Sequence, residues 1–187
     1  MNNLYCKGFT PDLNGKKTIW VNGEKIRGQW VEGYYVKMHK TTYCFGNEEP
    51  KDNALHQILF EQMTDWNLPN QYYKADILPE TLCNYIGIRD KNGNWVCEDD
   101  IVKISKFDLE GTVCKEKGTF GIGTTNTINY LKIEKALKEE LGNDVELQMV
   151  QNDHFLSFYE ILENFNLNED DRCELIEVTG NKWENHK

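Results

Sequence analysis

The residue order predicts a mainly β chain with helices inserted in its second half, an α+β fold, and three observations carry that prediction. Asn-Gly pairs stand at Asn14-Gly15, Asn22-Gly23 and Asn92-Gly93. Such pairs suit type I′ hairpin turns, because both residues tolerate positive φ. Around them lie short runs of Trp, Tyr, Val, Ile and Thr, residues that fit a pleated, half-buried surface. Only from Asn129 onward does the apolar spacing change to a helical period.

Taken in order, Lys16 to Val21 lies between two Asn-Gly pairs and reads as one arm of a hairpin. Gly28 to Lys37 and Thr41 to Phe45 continue a meander of three or four strands. Residues 46–53 read as a polar loop. Ala54 to Met63 fits either a helix or a buried strand, and Gln57-Ile58-Leu59-Phe60 tips it to strand. A loop at Asn67 to Asn70 precedes Gln71 to Ile77. Cys83 to Ile88 and Ile101 to Lys106 read as strands separated by a turn at Asp90 to Asn94. Thr112 to Cys114, a turn at Lys115 to Lys117 and Gly118 to Gly123 form a bent hairpin. Ile133, Ala136, Leu137 and Leu141 then follow helical spacing, with Gly142 as a stop. A second stripe, Phe155, Phe158, Tyr159, Leu162 and Phe165, follows a capping candidate at Asp153. Cys173 to Val178 is the last expected strand.

With 187 residues the chain is long enough for one large or two small domains with a real core. No stretch approaches the roughly 18 apolar residues of a membrane span, and the opening Met1 to Lys7 lacks the apolar core of a signal peptide. A cytoplasmic protein without membrane contact is expected. The six cysteines are scattered with no CxxC pair, and the four histidines do not flank them at ligand spacing. Buried thiols are expected, with no structural metal and no cofactor.

Charge is unevenly placed. Residues 1–47 carry seven Lys/Arg against three Asp/Glu, a balance of +4, whereas residues 48–187 carry fourteen against twenty-eight, a balance of −14. Opposed ends attract, which favours self-association. A net charge of −10 repels nucleic acid, so any such role falls to the basic first quarter.

Residues 78–104 contain Pro79-Glu80-Thr81, Tyr85, Gly87, Asp90-Lys91-Asn92-Gly93, Glu98 and Asp100-Ile101-Val102-Lys103. At these places the segment resembles the YopX signature, PETVGQYTGLKDKNGKxIYEGDIVK. Gly28 to Tyr34 is similar to that family's GEWVxGYL, and Ile176 to Asn185 to its closing YEVIGNIYEN. The likeness spans nearly the whole chain. It implies a phage or prophage protein and names no reaction. Asp99 stands where the family has the glycine of its EGD turn, Cys83-Asn84 where it has Gly-Gln, and Cys97 where it has an aromatic. If that turn needs positive φ, aspartate tolerates it better than most residues.

Glu-x-Asp-Ile-Val-Lys ahead of a Gly-rich hairpin also resembles the SH3-like barrel. On that likeness residues 1–93 form a β-rich N-terminal subdomain, the meander. Residues 94–187 form a small SH3-like barrel whose strands come from 94–125 and 172–180, with a helical insertion at about 129–165. This says nothing about what binds.

Weighed as sites, Glu98-Asp99-Asp100 and Glu169-Asp170-Asp171 read as solvated corners, since cation sites gather carboxylates from several elements or alternate loop positions. Gly118 to Gly123 lacks the Gly-Lys-Ser/Thr ending of a phosphate loop and reads as a bent strand. His154 borders the second helical stripe as a cap or surface residue. No Cys, Ser and His combination stands in a recognised catalytic context. A non-enzymatic, self-associating interaction protein is therefore expected, its partners a second copy or a phage or host protein. The alternative is nucleic-acid binding through Lys16, Lys17, Trp20, Lys25, Arg27 and Trp30, where basic and aromatic residues interleave as in single-strand binders, but the net charge of −10 favours Trp30, Tyr34 and their neighbours packing a core while the lysines solvate the other face. The same six residues are the candidate interface in either case.

Overall fold

In the computed structural model, residues 5–39, 54–63, 69–116, 118–125, 133, 135, 138–139, 154–159 and 173–184 are described. The fold is mainly β, built from two antiparallel sheets with few helical residues. The chain divides into two units, residues 1–84 with 183–187, and residues 85–182. The division falls inside a strand at Asn84/Tyr85, and the sequence reading places its own boundary between Gly93 and Asn94, within the turn.

In the first unit β1 (Tyr5–Pro11), β2 (Lys17–Val21), β3 (Glu24–His39), β4 (Ala54–Gln62) and β5 (Gln71–Asp76) pair in the lateral order β5-β4-β3-β1, with β2 also on β3. The β2–β3 hairpin turns on Asn22 and Gly23, at φ 51° and 83°, the two left-handed residues of a type I′ turn. Ala54–Gln62 is the expected strand. Its register on β3, Tyr34 with Leu59 through His39 with Ala54, puts alternate residues on opposite faces. Phe9, Ile19 and Val21 form a core with Ile26, Trp30, Leu78 and Trp183 packed on it.

Pro79–Thr81 is a single 3-10 turn that the sequence reading missed. Proline supplies its first residue. The buried Thr81 hydroxyl donates to Leu78 O (2.8 Å) and accepts from Phe9 N (2.9 Å), fastening the turn to β1. β6 (Cys83–Arg89) begins on β1, with Cys83 opposite Lys7 and Asn84 opposite Cys6.

Within the second unit the rest of β6 pairs with β7 (Trp95–Cys97) through an irregularity between Tyr85 and Arg89. Gly87 sits in that bulge at φ 96°, where a side chain would be strained although the space is open. β8 (Asp100–Ile104), β9 (Leu109–Glu116), β10 (Thr119–Gly123), β11 (Phe155–Ser157) and β12 (Glu177–Asn181) follow, in the order β11-β10-β9-β8-β12. Among the described residues β11 does not pair with β12, so this sheet is an open path. The core includes Ile88, Val96, Val102, Ile104, Val113, Ile122 and Ile176.

Several expectations change. Asn14-Gly15 and Asn92-Gly93 are not type I′ turns, because neither asparagine has positive φ. Asp12 and Asp90 carry those turns instead, each accepting a backbone N–H two residues on, Asn14 N and Asn92 N (2.9 Å each). The last strand begins at Glu177, not Cys173. Cys173 and Ile176 are buried by a turn closed by Ile176 N to Cys173 O (3.3 Å), so their apolar character marks packing and not a ladder. Phe155 to Ser157, the start of the expected second helix, is strand. Its helical residues among those described are Phe158 and Tyr159.

Ile133, Lys135, Lys138 and Glu139 are helical, within the stretch where the spacing of Ile133, Ala136, Leu137 and Leu141 predicts a helix. Other expectations lie outside the described residues: the strand at Thr41 to Phe45, the loop at 46–53, Asn67 and Leu68 of the loop before β5, Lys117, the cap at Asp153, and Glu169 to Asp171. So do Ala136, Leu137, Leu141, Gly142, Leu162 and Phe165 of the two helical stripes.

Candidate functional site

The six candidate residues lie on the β2–β3 hairpin and the loop before it, but strand alternation separates them. Register places Trp20 opposite Lys25, Thr18 opposite Arg27, Lys17 opposite Gly28 and Phe9 opposite Trp30. Since successive side chains alternate, Trp20, Lys25 and Arg27 belong to one face, and Lys17 and Trp30 to the other. On the first face Lys25 Nζ lies 6.0 Å from the Trp20 ring, and Arg27 Nε donates to Gly15 O (2.6 Å). On the second, Trp30 packs edge-on against Phe9 (5.3 Å) and donates from Nε1 to Glu184 Oε1 (2.8 Å). Lys17 Nζ reaches Glu184 Oε2 (3.0 Å), and Lys7 Nζ lies over the Trp30 ring (5.1 Å). Lys16 is exposed in the loop before β2. Trp30 is therefore a packing residue, and one carboxylate holds both it and Lys17. That carboxylate lies far along the chain, so adjacency of basic and aromatic residues could not reveal it.

The acidic turn also separates into distinct roles. Asp99 has φ 66°, a left-handed conformation, and its carboxylate meets Lys182 Nζ at 2.6 Å. Asp100 is fully buried. Its Oδ2 accepts from Cys97 N (3.0 Å) and its Oδ1 from Asn181 Nδ2 (3.0 Å), tying the β7–β8 turn to β12. It is not a solvated corner residue. Asp90, also fully buried, accepts through Oδ1 from Asn92 N (2.9 Å) and Asn94 N (2.8 Å), and through Oδ2 from Val178 N (3.1 Å). Buried carboxylates of this kind are held by the donors around them. Asp90 and Asp100 thus organise the backbone.

Gly118 to Gly123 does contain the expected strand, β10, paired on both sides. At Gly121 a Cβ would stand 2.4 Å from Leu156 O and 2.5 Å from the Phe155 ring, so close approach to β11 explains the glycine. Among the described residues Cys6, Cys83, Cys97 and Cys173 are buried and Cys114 half-buried, all as thiols rather than disulfides. Burial pushes the Cys173 thiol up from its ordinary value, and burial followed by the Glu116 carboxylate does the same to Cys114. Burial, then Cys6, raises the Tyr35 hydroxyl, which hydrogen-bonds His56 Nδ1 at 2.7 Å. Thiols raised in this way are poor nucleophiles at neutral pH.

A different surface was not found from the sequence. Tyr34, Met38, Tyr72 and Tyr73 are 44, 37, 70 and 41 % exposed on β3 and β5. Cross-strand register, Tyr34 to Leu59 to Lys74, places Tyr34 and Tyr72 on one face. Among the described residues β5 ends the sheet, and five of its six residues are exposed. Nothing in the local sequence marks Gln71 to Asp76 as an edge, because strand order is set by pairing across the chain.

Among the described residues no helix is long and apolar enough to cross a membrane. Comparison with protein-family models, curated proteins and solved structures gives no match.

Proposed function

We propose that this chain is a non-enzymatic interaction protein of YopX type, of phage or prophage origin and acting in the cytoplasm, and that it works by associating with itself. The observation that carries the reading is the exposed aromatic set on β3 and β5, Tyr34, Tyr72 and Tyr73 with Met38. Aromatic side chains and methionine are enriched at protein interfaces, where they bury much area at small entropic cost. The second unit serves as an SH3-like element in this reading, supported by the strand succession β8 to β10 with β12 beside β8. Its buried acids Asp90 and Asp100 keep the turns fixed and carry no chemistry of their own.

Light scattering coupled to gel filtration, with and without a pool of single- and double-stranded oligonucleotides, tests the proposal. The expected result is a stable multimer whose mass ignores the oligonucleotides. A monomer at every concentration overturns it, as does a mass increase that appears only with oligonucleotides and vanishes with salt.

A further inference from the structure

We infer that β5 is the self-association surface, and that two copies join it antiparallel about a twofold axis at Tyr73, extending the sheet of each first unit. The inference rests on the self-association reading and specifies its surface.

The backbone of β5 divides cleanly. Ile77 N donates to His56 O at 2.9 Å, one step beyond the pair Gln57 with Asp76. In an antiparallel ladder residues alternate between turning both backbone groups toward the neighbour and turning both away. Ile77, Ala75, Tyr73 and Gln71 therefore face β4, while Tyr72, Lys74 and Asp76 present N–H and C=O outward at the edge. Such an edge is a template for another strand.

A second copy fits it in few ways. A twofold axis at Lys74 sets like charges opposite one another, which disfavours it. An axis at Ala75 opposes Lys74 and the partner's Asp76, but it sets the exposed Tyr73 against the buried Ile77 and Tyr72 against Leu78, whose N is already bonded to Phe9 O (3.0 Å). An axis at Tyr73 pairs Gln71 to Ala75 and recruits no buried residue. Tyr72 then exchanges both backbone bonds with the partner's Lys74, and Lys74 with the partner's Tyr72. The side chains so opposed are a pairing this chain already makes twice: Trp20 opposite Lys25, with the ammonium 6.0 Å from the ring, and Phe120 opposite Lys115, at 5.1 Å. On the other face Tyr73 stacks on Phe60 at 6.0 Å. The partner's Tyr73 continues that row. Closure by a twofold axis ends assembly at two copies, and Lys74 bars the neighbouring register.

Substitution separates this edge from every other mode of association. In Lys74→Pro only an outward N–H is lost, because this residue does not bond β4, so the fold should persist while dimer affinity falls at least about tenfold. Tyr73→Cys places two thiols at a non-hydrogen-bonded cross-strand position, where mild oxidation should give a covalent dimer; Tyr72→Cys, facing the partner's Lys74, should not. Circular dichroism and melting of each variant verify the fold. A wild-type multimer that Lys74→Pro leaves intact, or a folded Tyr73→Cys that does not cross-link, overturns the edge and leaves self-association standing. A wild-type monomer overturns both.

Discussion

Asp99 holds a left-handed conformation that costs a non-glycine residue roughly 1–2 kcal/mol, and it recovers part of that through Lys182 at 2.6 Å. That pair is partly exposed, so its worth is at most about 1 kcal/mol. Asp99→Gly should therefore change stability by less than about 1 kcal/mol in urea unfolding, whereas Asp99→Val should cost about 2 kcal/mol or more. A glycine at this place in the pattern the segment resembles raised a left-handed residue only as a condition. Burial of Asp100 was not legible, because three consecutive acids look alike until the register of β8 decides which one turns inward. Alkaline pH probes other residues. The protonated forms of Cys173, Cys114 and Tyr35 are the neutral ones, and the fold holds those protons more tightly than the unfolded chain does. Their contribution is complete below the ordinary thiol value of 9.0 and is lost as pH rises through the higher folded values. The melting temperature should fall above that pH, and less steeply in Cys173→Ala. An identical slope in the variant would remove Cys173 from the account.

Hairpin β2–β3 shows what an element adds to its residues. Its type I′ turn was readable from the Asn-Gly pair, whereas the alternation that turns Ile19 and Val21 inward is set by the register. Packing of Trp30 was the favoured reading of the sequence, but its partner was not legible, since the ring meets a carboxylate 154 residues away. Trp30→Ala removes the contact with Phe9 and should cost about 3 kcal/mol, read from the denaturant midpoint. Glu184→Gln keeps an acceptor for the indole and loses only the exposed pair with Lys17, so it should cost less than about 1 kcal/mol. If both substitutions cost the same, the ion pair and not the packing anchors this strand. The displaced start of β12 has a related cause. Cys173 and Ile176 are as apolar as strand residues, but a turn buries them, and hydrophobicity alone does not separate the two.

For the whole molecule, two physical routes to association make opposite demands on salt. Docking through the charge imbalance, +4 in residues 1–47 against −14 in the remainder, is Coulombic between exposed groups and weakens as the Debye length shrinks from about 10 Å at 0.1 M to about 3 Å at 1 M. Pairing through β5 relies on backbone hydrogen bonds and aromatic contact, which salt screens little. Only the first route was legible in the sequence, because charge is counted residue by residue. The second needs the order β5-β4-β3-β1, which no local pattern states. Net charge adds a further sign: two copies at −10 each repel one another, so raising salt should hold or strengthen edge pairing. Mass measured at about 0.05 M and about 0.5 M salt should therefore stay at two copies or move toward it. A dimer that dissociates at the higher salt would transfer the association from the edge strand to the oppositely charged ends.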